Sequence, residues 1–89
     1  MAWTIEFTPG ALKELGRLQR MEQKRIRHYL AERVAMARSP RELGIPLQGS
    51  RHGELWRYRV GDYRIICRLH DATITVLVVD IGHRREIYR

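Results

Sequence analysis

The chain has 89 residues, of which 17 are Lys or Arg and 10 are Asp or Glu, so its formal net charge is +7. This length suits a single domain covering residues 1–89, a hydrophobic content of 44% argues against intrinsic disorder, and no apolar run approaches the ~20 residues that a membrane-spanning helix needs. The positive charge favours a polyanionic partner, nucleic acid or an acidic protein, and 15 of the 17 basic residues are arginine, which binds phosphate through a planar fork.

A strand and two helices are predicted in the first half of the chain. Residues Trp3–Phe7 alternate apolar and polar, as a half-buried β-strand does. Thr8 and Pro9 then supply a helix N-cap and a first helical residue, which begin a short helix. A second helix is predicted from about Met21 to Ala37. Its buried side is marked by apolar residues at four-residue spacing, Ile26, Leu30 and Val34.

The second half of the chain is predicted to form three strands. Ser39-Pro40 ends the second helix, and residues 41–53 are interpreted as a loop. After Glu54 the apolar period changes to two, in the segments LWRYRV, YRIICRLH and TITVLVVDIG. Tight turns at Gly61-Asp62 and Asp71-Ala72 join these strands. The last strand is apolar at almost every central position, so we expect it to be internal and covered on both faces.

Together these elements predict an α+β domain. An N-terminal strand is followed by a helical hairpin and then by an antiparallel three-stranded meander, and the helices cover one face of the resulting sheet. The hairpin is favoured because the connection between the helices, near Gln19–Met21, is short.

The turn at Gly61-Asp62, predicted to be of type II′, fixes which side chains share a face of the first two meander strands. Counting outward from this turn, Arg59 lies opposite Arg64. One face carries Trp56, Tyr58, Val60, Tyr63, Ile65 and Cys67, and the helices must cover it because it is apolar. The other face looks outward; we call it the arginine face, and it carries Arg57, Arg59, Arg64 and Arg68.

The arginine face is predicted to form a groove with an apolar floor. Like charges placed directly opposite each other destabilise a sheet, which suggests that an anion occupies this face. On the third meander strand, the side chains expected on the same side are those of Leu77, Val79 and Ile81. Gly82 then lets the chain turn, so that Arg84, Arg85 and Tyr88 can reach the groove.

Two other interpretations of these residues are open. A small basic nucleic-acid-binding module would use Trp56 and Tyr58 as stacking platforms, but alternation turns both rings away from the arginines and into the core. A merely solvated basic face accounts for the arginines but not for the apolar floor beside them. The single cysteine, Cys67, and the lack of a leader pattern predict a cytoplasmic protein without a membrane segment. The scattered histidines predict no metal site.

Three segments, ALKELGRL, LWRYRVGDYRIIC and VDIGHRREIYR, resemble the RelE/ParE superfamily of bacterial toxins, and the resemblance covers nearly the whole chain. It implies a single RelE-like toxin domain. It further implies a ribosome-dependent mRNA endonuclease that needs neither metal nor other cofactor, in which the ribose 2′-OH attacks its own 3′ phosphate. The same superfamily contains ParE-type members, which poison DNA gyrase, and that function stays open as the alternative.

The resemblance also assigns roles to residues. Arg64 is the main phosphate clamp, Arg84 is a second clamp or proton-relay partner, and Tyr88 stacks on a base and serves as general base. Because an arginine does not release its proton at working pH, His83 is the reserve candidate for proton transfer. The substrate-binding set that goes with these three residues is Arg57, Arg59, Arg68, His83 and Arg85.

The partners follow in part from the resemblance. It implies a cognate acidic antitoxin, mRNA on the ribosome as substrate, and operator DNA bound through the toxin–antitoxin complex. An apolar floor on a cationic face independently suits an acidic amphipathic peptide.

Overall fold

The computed structural model describes residues 2–47 and 55–83. Its strands are β1 (Thr4–Phe7), β2 (Ile45–Pro46), β3 (Leu55–Val60), β4 (Tyr63–His70) and β5 (Thr75–His83). Its α-helices are α1 (Pro9–Gly16) and α2 (Arg20–Tyr29), and shorter helical segments cover Leu30–Val34 and Pro40–Glu42. The strands form one sheet in the order β1-β5-β4-β3-β2, in which β1 runs parallel to β5 and the other pairs are antiparallel. The predicted α+β class is confirmed.

The first helix begins where the sequence predicts it. Thr8 is extended, with φ −67° and ψ 157°, and its Oγ1 accepts a hydrogen bond of 3.1 Å from the backbone N–H of Ala11. Pro9 occupies the first turn, where its missing N–H leaves no bond unmade. Ala11 and Leu15 are the buried residues of α1.

The second helix is shorter than predicted and ends in a widened turn. α2 stops at Tyr29, and the Leu30–Val34 segment is π-helical, with the backbone N–H of Ala35 donating to the carbonyl of Leu30 at 2.8 Å. A π turn spaces its hydrogen bonds five residues apart instead of four. The predicted apolar stripe is nevertheless confirmed, because Ile26, Leu30 and Val34 are all buried.

The core lies between the helices and one face of the sheet. Tyr58, Ile65, Val76 and Val78 are fully buried on the sheet side, and they belong to one apolar cluster with the buried residues of both helices. The β3–β4 register confirms the predicted pairing, including Arg59 opposite Arg64 and Tyr58 opposite Ile65. Gly61 has φ +61°, and Asp62 has no positive φ, which is the pattern of a type II′ turn.

Two predictions about the connections are wrong. Residues 41–53 are not entirely a loop, because Ile45–Pro46 pairs with β3 as an edge strand, where proline is tolerated. The β4–β5 connection contains four residues, 71–74, instead of two. Ile74 takes φ +50° there and its backbone N–H donates to the carbonyl of Asp71 at 3.2 Å, so β5 begins at Thr75.

A β-bulge corrects the predicted face of the last strand. Ile66 pairs with Asp80 and the next residue, Cys67, pairs with Val78, so Val79 is the extra residue of β5. A bulge of this kind shifts the alternation of every residue beyond it. Ile81 therefore lies in the core, 2% exposed, and not on the arginine side as predicted.

The predicted location of β5 is right in part. The strand is internal, between β1 and β4, and Val76 and Val78 are buried against the helices. Leu77, on the outer face, and Val79, at the bulge, are only half-buried, so the strand is not fully covered on both faces. Within the two ranges that the structure describes, no helix is both long and apolar enough to cross a membrane.

Candidate nucleic-acid interface

The outer face of the sheet, opposite the helices, presents three rows of side chains that run across the strands. Their membership follows from the strand registers, because only alternate residues share a face. The upper row is Arg59, Arg64 and Gly82. The middle row is Ile45, Arg57, Ile66 and Asp80. The lower row is Leu55, Arg68, Leu77 and Glu6.

The upper row concentrates positive charge. Arg59 and Arg64 are directly paired across β3 and β4, a position in which Cβ atoms lie about 5 Å apart. Arg59 is exposed, whereas Arg64 is only 7% exposed and its Nη1 donates to the carbonyl of Tyr63 at 3.5 Å. Among the described residues this row contains no acidic side chain. Guanidinium groups bind anions, phosphate above all, so this row is the candidate phosphate site.

The other two rows each contain a carboxylate. In the strand register Asp80 lies across Ile66 from Arg57, two strands away and thus about 10 Å along the row, but its carboxyl shares a hydrogen bond with Glu14 of α1. Glu6 lies beside Leu77 in the row that contains Arg68. The upper row is thus the one row of the outer face without a described carboxylate.

The predicted site residues divide into three groups. Arg57, Arg59, Arg64 and Arg68 lie on one face, as predicted. His83 pairs with Tyr63, so its side chain lies on the opposite side of the sheet from the arginine face. Arg84, Arg85 and Tyr88 lie outside the described residues. The roles assigned to all of these residues stay predictions.

His83 lines a separate groove of about 360 Å³ beside α1. Its ring contacts Tyr63 edge-to-face, with centroids 5.7 Å apart and planes at 84°. Glu14 lies in the same groove, and its Oε1 accepts a hydrogen bond of 3.3 Å from the backbone N–H of Ile81. Burial raises the pKa of Glu14, and a hydrogen bond with Asp80 raises it further. The groove thus contains two side chains able to exchange protons, a carboxyl and an imidazole.

The described residues offer neither a metal cluster nor an accessible thiol. No group of three or more His, Cys, Asp or Glu side chains within residues 2–47 and 55–83 could hold a metal ion. Cys67 is buried, and burial raises the pKa of its thiol, which disfavours the nucleophilic thiolate. Tyr58 is fully buried, as the sequence predicted, and is therefore not a stacking platform. Trp56 is half-buried on the same face, with the Arg41 guanidinium 6.0 Å from its ring centroid.

Comparison with known proteins decides the family. The family model described as the ParE toxin of the type II toxin–antitoxin system parDE matches residues 5–88. The chain is also 32% identical over 91 residues to toxin RelG of Mycobacterium tuberculosis, a match that covers 100% of this chain and 99% of that toxin. This chain belongs to the RelE/ParE superfamily of type II toxins.

Solved structures of RelE toxins share this fold. The toxin–antitoxin complex RelBE2 of Mycobacterium tuberculosis contains a chain with a TM-score of 0.82 and 25% identity, covering 94% of this toxin and 93% of that chain. The isolated Escherichia coli RelE toxin gives a TM-score of 0.73 at 23% identity, covering 98% of this toxin and 92% of that chain. Because its identity is only 23%, the match to Escherichia coli RelE shows a shared fold and nothing more.

Three residues of the outer face of this toxin were missed by sequence reasoning. The alternation in Trp3–Phe7 already turns Glu6 away from the core, so Glu6 could have been found once β1 was paired with β5. Ile45 lies in a strand too short to show any period. Asp80 reaches the outer face only because of the bulge at Val79.

Replacing Glu14 with glutamine should flatten the pH dependence of the toxin's stability. Because the folded-state pKa of Glu14 is raised above 4.5, the folded chain keeps a proton that the unfolded chain releases. The stability from this proton is complete below about pH 4.5 and is lost as the pH rises through the raised pKa. Glutamine keeps an oxygen for the Ile81 N–H and can donate to Asp80 without ionising.

Urea unfolding at about pH 5 and about pH 7 measures this effect. We expect the wild-type toxin to lose more stability than Glu14→Gln between these two conditions. The variant should therefore be the more stable protein at the higher pH. Equal losses in the two proteins would contradict the stated role of Glu14.

Proposed function

We propose that this toxin is an endoribonuclease that cuts mRNA on the ribosome and is neutralised by an acidic antitoxin. The cut is made by attack of a ribose 2′-OH on the adjacent 3′ phosphate. The observation that carries the proposal is the pairing of Arg59 with Arg64 on the face of the sheet that the helices leave uncovered. Their row has no described carboxylate to compete with a phosphate.

The reaction needs stabilisation of a phosphorane, on which negative charge develops as the 2′ oxygen attacks. Arg64 is suited to this task because its side chain is almost completely buried, so its guanidinium is held in place and only weakly screened by water. Arg59 is exposed and binds the incoming phosphate before the reaction. Arg57 and Arg68, half-buried on the same face, hold the flanking phosphates.

Proton transfer falls to other side chains, because arginine stays protonated. In the proposal Tyr88 takes the proton of the 2′-OH and also stacks on a base, Arg84 is the second phosphate clamp, and Arg85 binds substrate. His83 is the reserve proton donor or acceptor. It lies across the sheet from Arg64, so it would act only on a strand of RNA that passes around the end of β5.

The proposed antitoxin is acidic and amphipathic. RelE chains of other organisms occur in complexes with RelB antitoxins, as in the Escherichia coli RelBE complex. On this toxin the outer face combines Arg57 and Arg68 with the half-buried Leu77, which fits a segment that alternates acidic and apolar side chains. Operator DNA is bound by the toxin–antitoxin complex, mainly through the antitoxin.

A second candidate function is poisoning of DNA gyrase. The observation that favours it is the matching family model, which describes ParE toxins. A gyrase poison needs a surface for the enzyme but no phosphate clamp at a cleavage centre, so the same fold serves both functions.

One pair of assays separates these functions. The purified toxin is added to a cell-free translation reaction, and the 5′ ends of mRNA are mapped on stalled ribosomes. In parallel, the toxin is incubated with gyrase and supercoiled plasmid, and covalent gyrase–DNA complexes are trapped. We expect new mRNA ends in the ribosomal A site and no trapped gyrase.

The opposite pattern, trapped gyrase without mRNA ends, would overturn the nuclease in favour of the gyrase poison. If neither signal appears, both functions are overturned, and a binding module or a decayed toxin is favoured. Naked mRNA incubated without ribosomes is the control, and it should remain uncut by the toxin.

A further inference from the structure

A second concentration of positive charge lies between α2 and the tip of the β3–β4 hairpin. The groove there has a volume of about 580 Å³. Its basic side chains, all exposed, are Lys24, Arg25, His28, Arg33 and Arg59. Among the described residues that line the groove none is acidic. We call it the α2 groove.

Helix α2 supplies three of these basic side chains from one side, together with Met21. Met21, Lys24, Arg25 and His28 follow the three- and four-residue spacing that keeps side chains on one face of an α-helix. Arg33 lies five residues beyond His28, which in a regular α-helix would turn it about 140° away. The π-helical turn Leu30–Val34 reduces this offset, and Arg33 lines the same groove.

The hairpin tip accommodates one of the helix arginines at close range. An ideal Cβ on Gly61 would lie only 3.1 Å from Nη1 of Arg25, so the guanidinium lies directly over the glycine. The same guanidinium group lies 3.7 Å from Glu22, and both side chains are partly exposed. An exposed ion pair at this distance is weak, so Arg25 still adds positive potential to the groove.

Arg59 joins this groove to the arginine face. It pairs with Arg64 in the upper row of the sheet, and it also lines the α2 groove. The two cationic surfaces are therefore continuous, and they meet at a residue on the edge of the hairpin. A polyanion that is held at Arg64 can pass over Arg59 and into the α2 groove, and neither the upper row nor the groove lining includes a described carboxylate.

The apolar content of the groove decides which polyanion fits. Met21 is its one highly exposed large apolar side chain, at 69%. Val60 belongs to the buried core, and Tyr29 packs against that core. An acidic amphipathic helix needs several apolar anchors along its length, whereas a sugar–phosphate backbone needs cations at intervals. With several exposed cations and only one highly exposed large apolar side chain, the groove fits nucleic acid better than an acidic helix.

We propose that the α2 groove binds the sugar–phosphate backbone of RNA, as a non-catalytic extension of the arginine face through Arg59. The inference rests on the proposed function in one respect, that the polyanion is RNA. Lys24, Arg25 and Arg33 contact phosphates, and contacts to phosphate position a nucleic acid without reading its sequence.

The test neutralises the groove and compares it with an equal loss of charge elsewhere. The groove variant carries Lys24→Gln, Arg25→Gln and Arg33→Gln. The control variant carries Lys13→Gln, Arg27→Gln and Arg38→Gln, which removes one lysine and two arginines from exposed positions outside the groove. The probe is a fluorescein-labelled 2′-O-methyl RNA of about 12 nucleotides, long enough to span both surfaces.

Fluorescence anisotropy gives Kd for each protein across a range of salt concentrations. For single-stranded nucleic acid each phosphate contact contributes about 0.7 to the slope of log K against log salt, so the groove variant should lose about 2 from that slope. The control variant should keep the wild-type slope. Thermal unfolding shows whether both variants fold. If the triple variant does not fold, Lys24→Gln alone replaces it, and its salt slope should be lower than that of the wild type by about 0.7.

Equal slopes in the groove and control variants would overturn the proposal, since only net charge would then matter. An unchanged RNA slope together with lost binding of poly-glutamate would also overturn it, and would assign the groove to an acidic peptide. The probe has no free 2′-OH and is never cut. Failure of the nuclease proposal therefore leaves this comparison intact, and equal slopes refute the groove whatever the cleavage assays give.

Discussion

Replacing Arg64 with alanine should reduce mRNA cleavage on the ribosome by about 10²–10³-fold, the usual effect of removing one preorganised donor from a developing anion. Arg64 is almost fully buried in the middle strand of the sheet. Its position is therefore set by the fold and does not depend on the substrate. Alanine removes the guanidinium and leaves Arg59, which is exposed, as the one cation of the upper row.

Arg64→Lys separates charge from shape. Lysine keeps the positive charge but lacks the planar fork that holds two phosphate oxygens at once. We expect a loss of about 10-fold, smaller than that of the alanine variant, because part of the electrostatic stabilisation survives. Cleavage is read as the fraction of mRNA with new ends at a fixed toxin concentration, and growth arrest after induction gives the corresponding result in cells.

Arg38→Ala is the matched control, since it removes one exposed arginine that lies in none of the three rows. It should keep wild-type cleavage. Thermal unfolding shows whether Arg64→Ala remains folded, and a shift of a few degrees corresponds to about 1 kcal/mol in a domain of this size. Full activity in a folded Arg64→Ala protein, or an equal loss in Arg38→Ala, would refute Arg64 as the phosphate clamp.

Much of the framework of this site could be predicted because a few residues have strong local preferences. Thr8 and Pro9 determine where α1 begins. Gly61 takes the positive φ that a type II′ turn requires, and this single turn determines which side chains of β3 and β4 share a face. The pairing of Arg59 with Arg64 follows from that turn.

The bulge in β5 explains why strict alternation gave the wrong face for Ile81. Strict alternation from Val76 would bury Asp80 together with Val78 and turn Ile81 outward. Burying an unpaired carboxylate costs several kcal/mol, on the order of the whole stability of a small domain. An extra residue at Val79 places Asp80 in solvent and Ile81 in the core. The cost of burying Asp80 under strict alternation was therefore a signal for a bulge.

Other features could not be predicted because their causes are distributed over the fold. The two-residue strand β2 exists only because β3 offers it an edge. The α2 groove combines a π-helical turn with a hairpin tip that is distant in sequence. Neither depends on a local pattern, and each becomes visible only when the elements are packed together.

Among the tyrosines that the structure describes, Tyr58 should be the one whose substitution destabilises the fold most. Its ring is completely buried in the core, and its hydroxyl donates to the carbonyl of Pro40 at 2.7 Å. Burial raises the pKa of Tyr58, so the phenol stays a neutral donor under ordinary conditions. Removing the whole ring in Tyr58→Ala should reduce the free energy of unfolding by about 3–5 kcal/mol, which approaches the total stability of many small domains.

Tyr58→Phe isolates the hydrogen bond. It keeps the ring but leaves the Pro40 carbonyl without this donor, and the expected loss is about 1–3 kcal/mol. Tyr29→Phe is the control, because Tyr29 is half-buried and its hydroxyl makes no hydrogen bond to any residue that the structure describes; we expect a change within about 0.5 kcal/mol. Urea unfolding followed by circular dichroism gives all three values.

The same variants test whether Tyr58 is a core residue or a platform for bases. A stacking ring must be accessible to the nucleic acid, and its truncation should weaken RNA binding by about 1–3 kcal/mol per base. Tyr58 is inaccessible, so Tyr58→Phe should bind the 2′-O-methyl RNA as tightly as wild type while unfolding at lower urea. Unchanged stability with weakened RNA binding would reverse the assignment, and would require the side of the sheet that carries Tyr58 to open toward the RNA.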